Sequence, residues 1–352
     1  PHQAELQDID VALIGVPFDL GVYNRPGARF GPRAIRNVSL FGSMNHNSKI
    51  EPCTLCRITD VGDVHITHRY NLDQGIRDIE AYYHRVLDAG ILPLSAGGDH
   101  SITHPILRAL GRDHPVGLVH VDAHCDTGPG MGKSEFYHGA PFRNAVLDGV
   151  LDPERTVQIG IRGPSEPVWE FSYDSGMTVI HIEEFVEMGV DQVIQKAREV
   201  VGDGPTYISF DVDGLDPAYA PGTGTPVCGG LTSHQAMSIL RGMQGINVVG
   251  MCCTGNEIIM RHGISLAGNF MQQELAIITG AVDAMIVDVQ CIMPALGDLC
   301  ECFHTKFIST SYKAKFPGAV HMQFNEEKAL AIAKAIVGAA VENYGHRVPE
   351  WA

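Results

Sequence analysis

The sequence predicts an α/β protein: a parallel sheet covered by helices on both faces. Two observations carry this. Short apolar runs alternate with helical stretches along most of the chain, the rhythm of βα units. Three of the apolar runs, at residues 91–95, 116–121 and 206–210, stop abruptly on Asp and His clusters. In open parallel sheets ligands bind beyond the carboxyl ends of the strands, so the clusters mark a functional edge.

The elements follow in order. Residues 10–16 (DVALIGV) form a buried strand ended by Pro17, and the polar, Gly-rich stretch 19–33 is a loop leading into a helix over 32–38. A second strand spans 58–64, and a helix of mixed apolar and charged face spans 72–89. The strand 91–95 (ILPLS) runs into Ala96-Gly97-Gly98-Asp99-His100 before a helix over 103–110. The strand 116–121 carries Asp122-Ala123-His124-Cys125-Asp126. A Gly-rich loop, 127–137, delivers His138-Gly139 to a helical stretch at 141–147. Strands at 156–161 and 178–182, a helix at 191–200 and a strand at 206–210 (TYISF) lead to Asp211-Val212-Asp213-Gly214-Leu215-Asp216-Pro217.

Composition bounds the function. A chain of 352 residues makes one large α/β domain or two smaller ones, and 45% hydrophobic residues suffice for a core. The formal net charge of −16 argues against nucleic acid and anionic membrane as partners, which need clustered Lys and Arg. Nine cysteines make no disulfide framework, and no start resembling a signal peptide is visible, so a reducing compartment, the cytoplasm, is expected. No apolar run approaches the roughly 18 residues of a membrane span. Cys53 and Cys56 have C-x-x-C spacing without the second pair a structural zinc needs.

The clusters point to metal. Residues two apart on an extended strand end point the same way, so Asp122, His124 and Asp126 converge if the strand holds its geometry that far. With His100, Asp211 and Asp213 they gather four carboxylates and two imidazoles, too much negative charge to bury without cations. Two divalent ions would neutralise it. Oxygen-rich ligation with some imidazole suits Mn²⁺, with Fe, Co, Ni or Zn left open by ligand type. Two ions about 3.5–4 Å apart generate a hydroxide at neutral pH and hold it over an electrophilic carbon, which is hydrolytic chemistry.

The strings SAGGDHSIT (95–103), HVDAHCD (120–126), HGAPFR (138–143) and SFDVDGLDPAYAPGTGTP (209–226) resemble the ureohydrolases, the arginase and agmatinase family, in the family's order and at family-like intervals over residues 10–250. The resemblance implies a three-layer α/β/α fold with a binuclear manganese centre. One ion would take His100, Asp122, Asp126 and Asp211, the other Asp122, His124, Asp211 and Asp213. It also implies hydrolysis of a small cationic guanidino compound, of the agmatine or guanidino-acid type, to urea and an amine. Asp126 would orient the attacking hydroxide and His138 would pass a proton to the leaving amine; a homo-oligomer is implied as well. Asp216 reads as a turn residue before Pro217.

The last third departs from that pattern. Where the family continues its central strand into Val-Glu-Val-x-Pro, whose Glu holds the substrate guanidinium, this chain reads Cys252-Cys253-Thr254-Gly255-Asn256-Glu257. Gly255 takes the place of the Glu. Glu257 would face the same side of a strand but about 6–7 Å further along, which makes it a candidate for the substrate contact and not an equivalent of the family Glu. The strings VVGMCCTGNEIIMRHG (248–263) and QELAIITGAVDAMIVDVQCIMP (273–294), with the stretch from Phe316 through a helix at 326–342, resemble an internal segment of nickel-iron carbon monoxide dehydrogenase. In that family a cysteine of the Cys-Cys pair helps to hold a metal cluster. Cys252, Cys253 and Cys291 match in part, but the other cluster ligands have no counterpart here.

Strands at 284–289 and 306–310 give this segment its own βα rhythm, and Cys300 and Cys302 add thiols of no recognised spacing. The chain thus reads as a join: a metallohydrolase domain over 1–250, then a dehydrogenase-like βα segment over 251–352. Residues 247–253 (NVVGMCC) are apolar and β-branched enough to complete the first domain's sheet. The expected function is guanidino hydrolysis weakened by the loss of the Glu. The rivals are an inert metal-binding protein and a redox or iron-sulfur protein built on the C-terminal cysteines.

Overall fold

The computed structural model describes residues 6–39, 51–130, 134–163, 166–243, 250–251, 266–268, 273–279, 281–287, 292, 295–315 and 317–347. The chain divides into two compact units, Pro1–Gln244 and Gly245–Ala352.

The first unit contains β1 (Val11–Val16), β2 (Ile58–Asp63), β3 (Leu92–Gly97), β4 (Val116–Val121), β5 (Leu151–Ile161), β6 (Thr178–His181) and β7 (Thr206–Phe210). Every described pairing is parallel, in the orders β2-β1-β3 and β6-β5-β4-β7. Parallel neighbours cannot be joined by tight turns, so each connection crosses over, mostly through a helix. Alternation along β4 shows both faces covered. Val119 and Val121 pack with Val157, Ile159, Phe185 and Val193, whereas Leu118 packs with Phe142 and Leu151.

The helices begin and end where local chemistry allows. Leu72–Asp88 starts at Asn71, whose side chain accepts from the Gln74 backbone N–H at 3.0 Å, and buries Ile76, Ile79, Tyr83 and Val86 at helical spacing. Thr232 and Gln235 form a capping box before Ser233–Gly242. That helix, Glu166–Ser175 and Ile182–Met188 are absent from the sequence reading. At the last, strand passes into helix at His181 with no polar connection to mark the change. β5 begins at Leu151, five residues before the expected start, along the polar run Asp152-Pro153-Glu154-Arg155.

In the second unit β8 (Ala284–Val287), β9 (Lys306–Ser309) and β10 (Val320–His321) form a parallel sheet in that order. It shares a core with Ile277, Leu296 and Cys300. The expected helix at 326–342 is a 3₁₀ turn, Glu326–Lys328, followed by the α-helix Ala329–Tyr344, because Asn325 caps the turn by accepting from Glu327 and Lys328. Of the stretch 247–253, only Gly250–Met251 lies among the described residues, paired with Leu266–Gly268. No helix among the described residues is long and apolar enough to cross a membrane.

Candidate metal centre

Three strand ends build the site. Beyond β3, Gly98 has φ 74°, and a Cβ there would lie 2.5 Å from the Phe18 carbonyl oxygen and 2.6 Å from that of Val16, so only glycine fits. Asp99 then accepts from the backbone N–H groups of Ser101 and Gly21, both at 2.8 Å. Asp99, rather than His100, caps the turn and anchors the loop 19–33. His100 is left to turn inward, and its Nε2 lies 2.8 Å from Ser209 Oγ.

Residues 122–126 do not keep the strand geometry expected to align Asp122, His124 and Asp126. β4 ends at Val121 and the backbone bends. The His124 N–H donates to Asp122 Oδ1 at 2.7 Å, and Asp126 adopts φ 50°, a left-handed conformation that Asp tolerates better than most residues. The three side chains therefore do not share one direction. Asp122 and Asp126 face His100, and His124 faces Asp213. At the end of β7, Asp211 caps the turn Val212–Gly214 by accepting from the Asp213 N–H at 2.9 Å.

All six expected donors come together, in two groups. His100 Nδ1 lies 3.2 Å from Asp122 Oδ2, 2.8 Å from Asp126 Oδ2 and 3.3 Å from Asp211 Oδ2. His124 Nδ1 lies 3.4 Å from Asp122 Oδ1 and 3.3 Å from Asp213 Oδ2. Asp122 thus gives one oxygen to each group, the arrangement a bridging carboxylate requires. Asp122, His124 and Asp213 present donor atoms close enough to hold one ion, as do His100, His120 and Asp122.

The donor set fits cations. His100 Nδ1 is buried and forms no well-angled hydrogen bond, although three carboxylate oxygens surround it; its lone pair and theirs share a focus. Burial, and then the negative charge of Asp122, raise the Asp126 carboxyl above its ordinary value. Burial raises Asp213 further, reinforced by Asp122 and Asp211. Burial alone would lower both histidines. The surrounding carboxylates outweigh it, holding His100 well above an ordinary imidazole and pushing His124 up to about 11. Both shifts show that the carboxylates make this a place that favours positive charge.

Other residues support the donors without being visible as motifs. Arg162, just past β5, donates to the carbonyl oxygens of Asp213 at 2.8 Å, Leu215 at 3.2 Å and Val227 at 2.8 Å, fixing the turn that carries Asp213. Thr225 Oγ1 donates to Asp213 Oδ2 at 3.0 Å. A Cβ on Gly163 would lie 2.4 Å from His124 Cδ2. The location of Arg162 and Gly163 at the end of a parallel strand is the one signal that could have found them.

Asp216 does turn work, accepting from Ala218, Gly229 and Gly230. The half-buried His138 is held by its own N–H to the Gly21 carbonyl at 3.0 Å and by the Tyr23 ring at 4.7 Å. Its Nε2 is buried and makes no hydrogen bond. Glu257, Cys252, Cys253 and Cys291 lie outside the described residues.

Comparison with known proteins decides the lineage of this site. The Arginase family model matches residues 9–253. The chain belongs to the arginase family. It is 53% identical over 248 residues to a guanidinopropionase of Pseudomonas aeruginosa, covering 69% of this chain and 77% of the relative. It is 44% identical over 289 residues to a mitochondrial agmatinase of Gallus gallus, covering 80% and 84%. Among solved structures, a Trypanosoma cruzi formiminoglutamase with Mn²⁺ superposes with TM-score 0.61 at 26% identity, covering 67% of this chain and 81% of the other. The Prismane/CO dehydrogenase family model matches residues 231–351. The two matches overlap over residues 231–253, and of the two only the second extends past Gly255.

Proposed function

We propose that this arginase-family chain hydrolyses a guanidino compound of the agmatine or guanidino-acid type to urea and an amine, at a centre of two divalent ions held by the six donors. The observation that carries this is their convergence, with Asp122 shared. Manganese is the preferred ion, on the ligand chemistry and on the manganese in the formiminoglutamase structure. His100, Asp122, Asp126 and Asp211 would hold one ion, and Asp122, His124, Asp211 and Asp213 the other. When bound, two such ions supply Lewis acidity and a nucleophilic water at neutral pH.

The chain's own residues do the rest. Asp126 accepts a hydrogen bond from the attacking water and fixes its direction toward the guanidinium carbon. The C–N bond to the amine breaks as His138 delivers a proton from Nε2 to the departing nitrogen. The unpaired Nε2 supports that role. The chain's formal net charge of −16 favours a cationic substrate. A cytoplasmic location and a homo-oligomeric state are part of the proposal, as is the assignment of residues 1–250 to the hydrolase and 251–352 to a segment akin to nickel-iron carbon monoxide dehydrogenase.

With Gly255 where the family Glu is expected, turnover is weakened, since losing a charge partner of a bound cation costs about 2–5 kcal/mol. An inert metal-binding protein is the second reading, favoured by that substitution. A redox centre on the C-terminal cysteines has less support: among the described residues neither potential metal-binding group contains a cysteine. The test is urea release from agmatine, guanidinobutyrate, guanidinopropionate, arginine and guanidine with added Mn²⁺ or Ni²⁺. Urea from one of these is expected. Bound metal without urea from any of them would leave the inert reading, and a brown chromophore with iron and sulfide would favour the redox one.

A further inference from the structure

His120, the penultimate residue of β4, has no part in the reaction above, yet it is fully buried and its Nε2 lies 2.8 Å from Asp122 Oδ2. We infer that His120 and Gln158 form a positioning relay that fixes the shared carboxylate of Asp122 for metal binding. This rests on the metal-centre reading.

The direction of the relay follows from its far end. Gln158, fully buried on β5, places Nε2 2.6 Å from the Cys125 carbonyl oxygen and 3.1 Å from His120 Nδ1. A backbone carbonyl only accepts, so the amide must present its NH₂ to it; the flipped amide would set two oxygens against each other. The second N–H of that NH₂ then donates to His120 Nδ1, which must carry a lone pair. The ring proton is therefore on Nε2, and it donates to Asp122 Oδ2. The cost of this arrangement is visible: Gln158 Oε1 is buried with no partner, an expensive omission for an amide. The amide gives up its acceptor to donate twice.

The effect falls on Asp122. With the His120 proton on Oδ2 and the His124 N–H on Oδ1, both oxygens are pinned, so the carboxylate meets its cations without searching rotamers. Phe142, fully buried, packs on the His120 ring at 4.3 Å and holds its plane.

The test measures metal affinity by competition with a fluorescent chelator and follows the melting of the metal-free protein. His120→Phe and Gln158→Glu should each weaken affinity for Mn²⁺ about 10–100-fold, the usual effect of losing a group that orients a ligand. His120→Gln, which can keep an N–H near the Nε2 position, should restore most of it. If His120→Phe or Gln158→Glu melts more than a few degrees lower without metal, His120→Gln against His120→Phe at matched stability decides the question. Asp122→Asn separates the two levels of the argument. If it leaves metal affinity unchanged, the metal-centre reading fails. If Asp122→Asn abolishes binding while His120→Phe and Gln158→Glu bind like the parent, the relay alone fails. Loss of one of two ions in His120→Phe, not restored by His120→Gln, would overturn the relay by making His120 itself a ligand.

Discussion

Gly163 offers a sharp perturbation of the centre, because its effect can be worked from a single contact. Its backbone is not in the left-handed region, so Gly163→Ala carries no intrinsic strain. The added Cβ, however, would stand 2.4 Å from His124 Cδ2 and 3.1 Å from Nε2, where non-bonded carbons prefer about 3.5–4.0 Å. The ring must retreat by about 1 Å or more. His124 Nδ1 is already 3.3 Å from Asp213 and 3.4 Å from Asp122, and metal–nitrogen bonds tolerate only about ±0.2 Å. A shift of that size removes His124 from its ion while leaving the His100 group untouched. Metal content after exhaustive dialysis should fall from two ions per chain to one, and kcat by about 100-fold, the scale of a 1 Å misplacement. Two tightly held ions and unchanged turnover in Gly163→Ala would refute the assignment of His124.

Other variants probe the remaining parts. Arg162→Met should lower stability by about 3 kcal/mol, through the loss of charge-assisted bonds to part-buried carbonyls, read as a drop in the denaturation midpoint; an unchanged midpoint would mean the turn at Asp213 holds itself. His138→Asn should cut kcat about 10²–10⁴-fold with little change in metal content, and parallel losses of metal would reassign His138 to the ligand shell. Asp19 is held below its ordinary value: burial opposes this, but Arg29 and the Gly27 N–H outweigh it. A depressed carboxyl stabilises fully above the unfolded value, about 3.9, and that contribution is lost as pH falls through the folded value. Asp19→Asn should therefore be less stable than the parent at pH 6, with the gap closing toward pH 2; a gap that stays constant would contradict this.

Much of this site was legible because its chemistry is concentrated at strand ends. The helix Thr103–Leu110 and the strands Val116–Val121 and Thr206–Phe210 have their expected bounds. The donors could be named because Asp and His directly after apolar runs have few structural reasons to be there. Their mechanism of convergence was not legible. It depends on a left-handed Asp126 and on a carboxylate cap at Asp211, and neither backbone feature has a signature in the pattern of apolar runs. Gln158 and Ser209 were silent for a similar reason: a polar residue inside a strand declares its partner only when the neighbouring strand is in register.

The most direct test is an anomalous difference map from crystals grown with Mn²⁺. Two peaks about 3.5–4 Å apart are expected, one among His100, Asp122, Asp126 and Asp211 and the other among Asp122, His124, Asp211 and Asp213. A single peak remote from Asp122, or none with manganese present at saturating concentration, would contradict a two-ion centre on these donors.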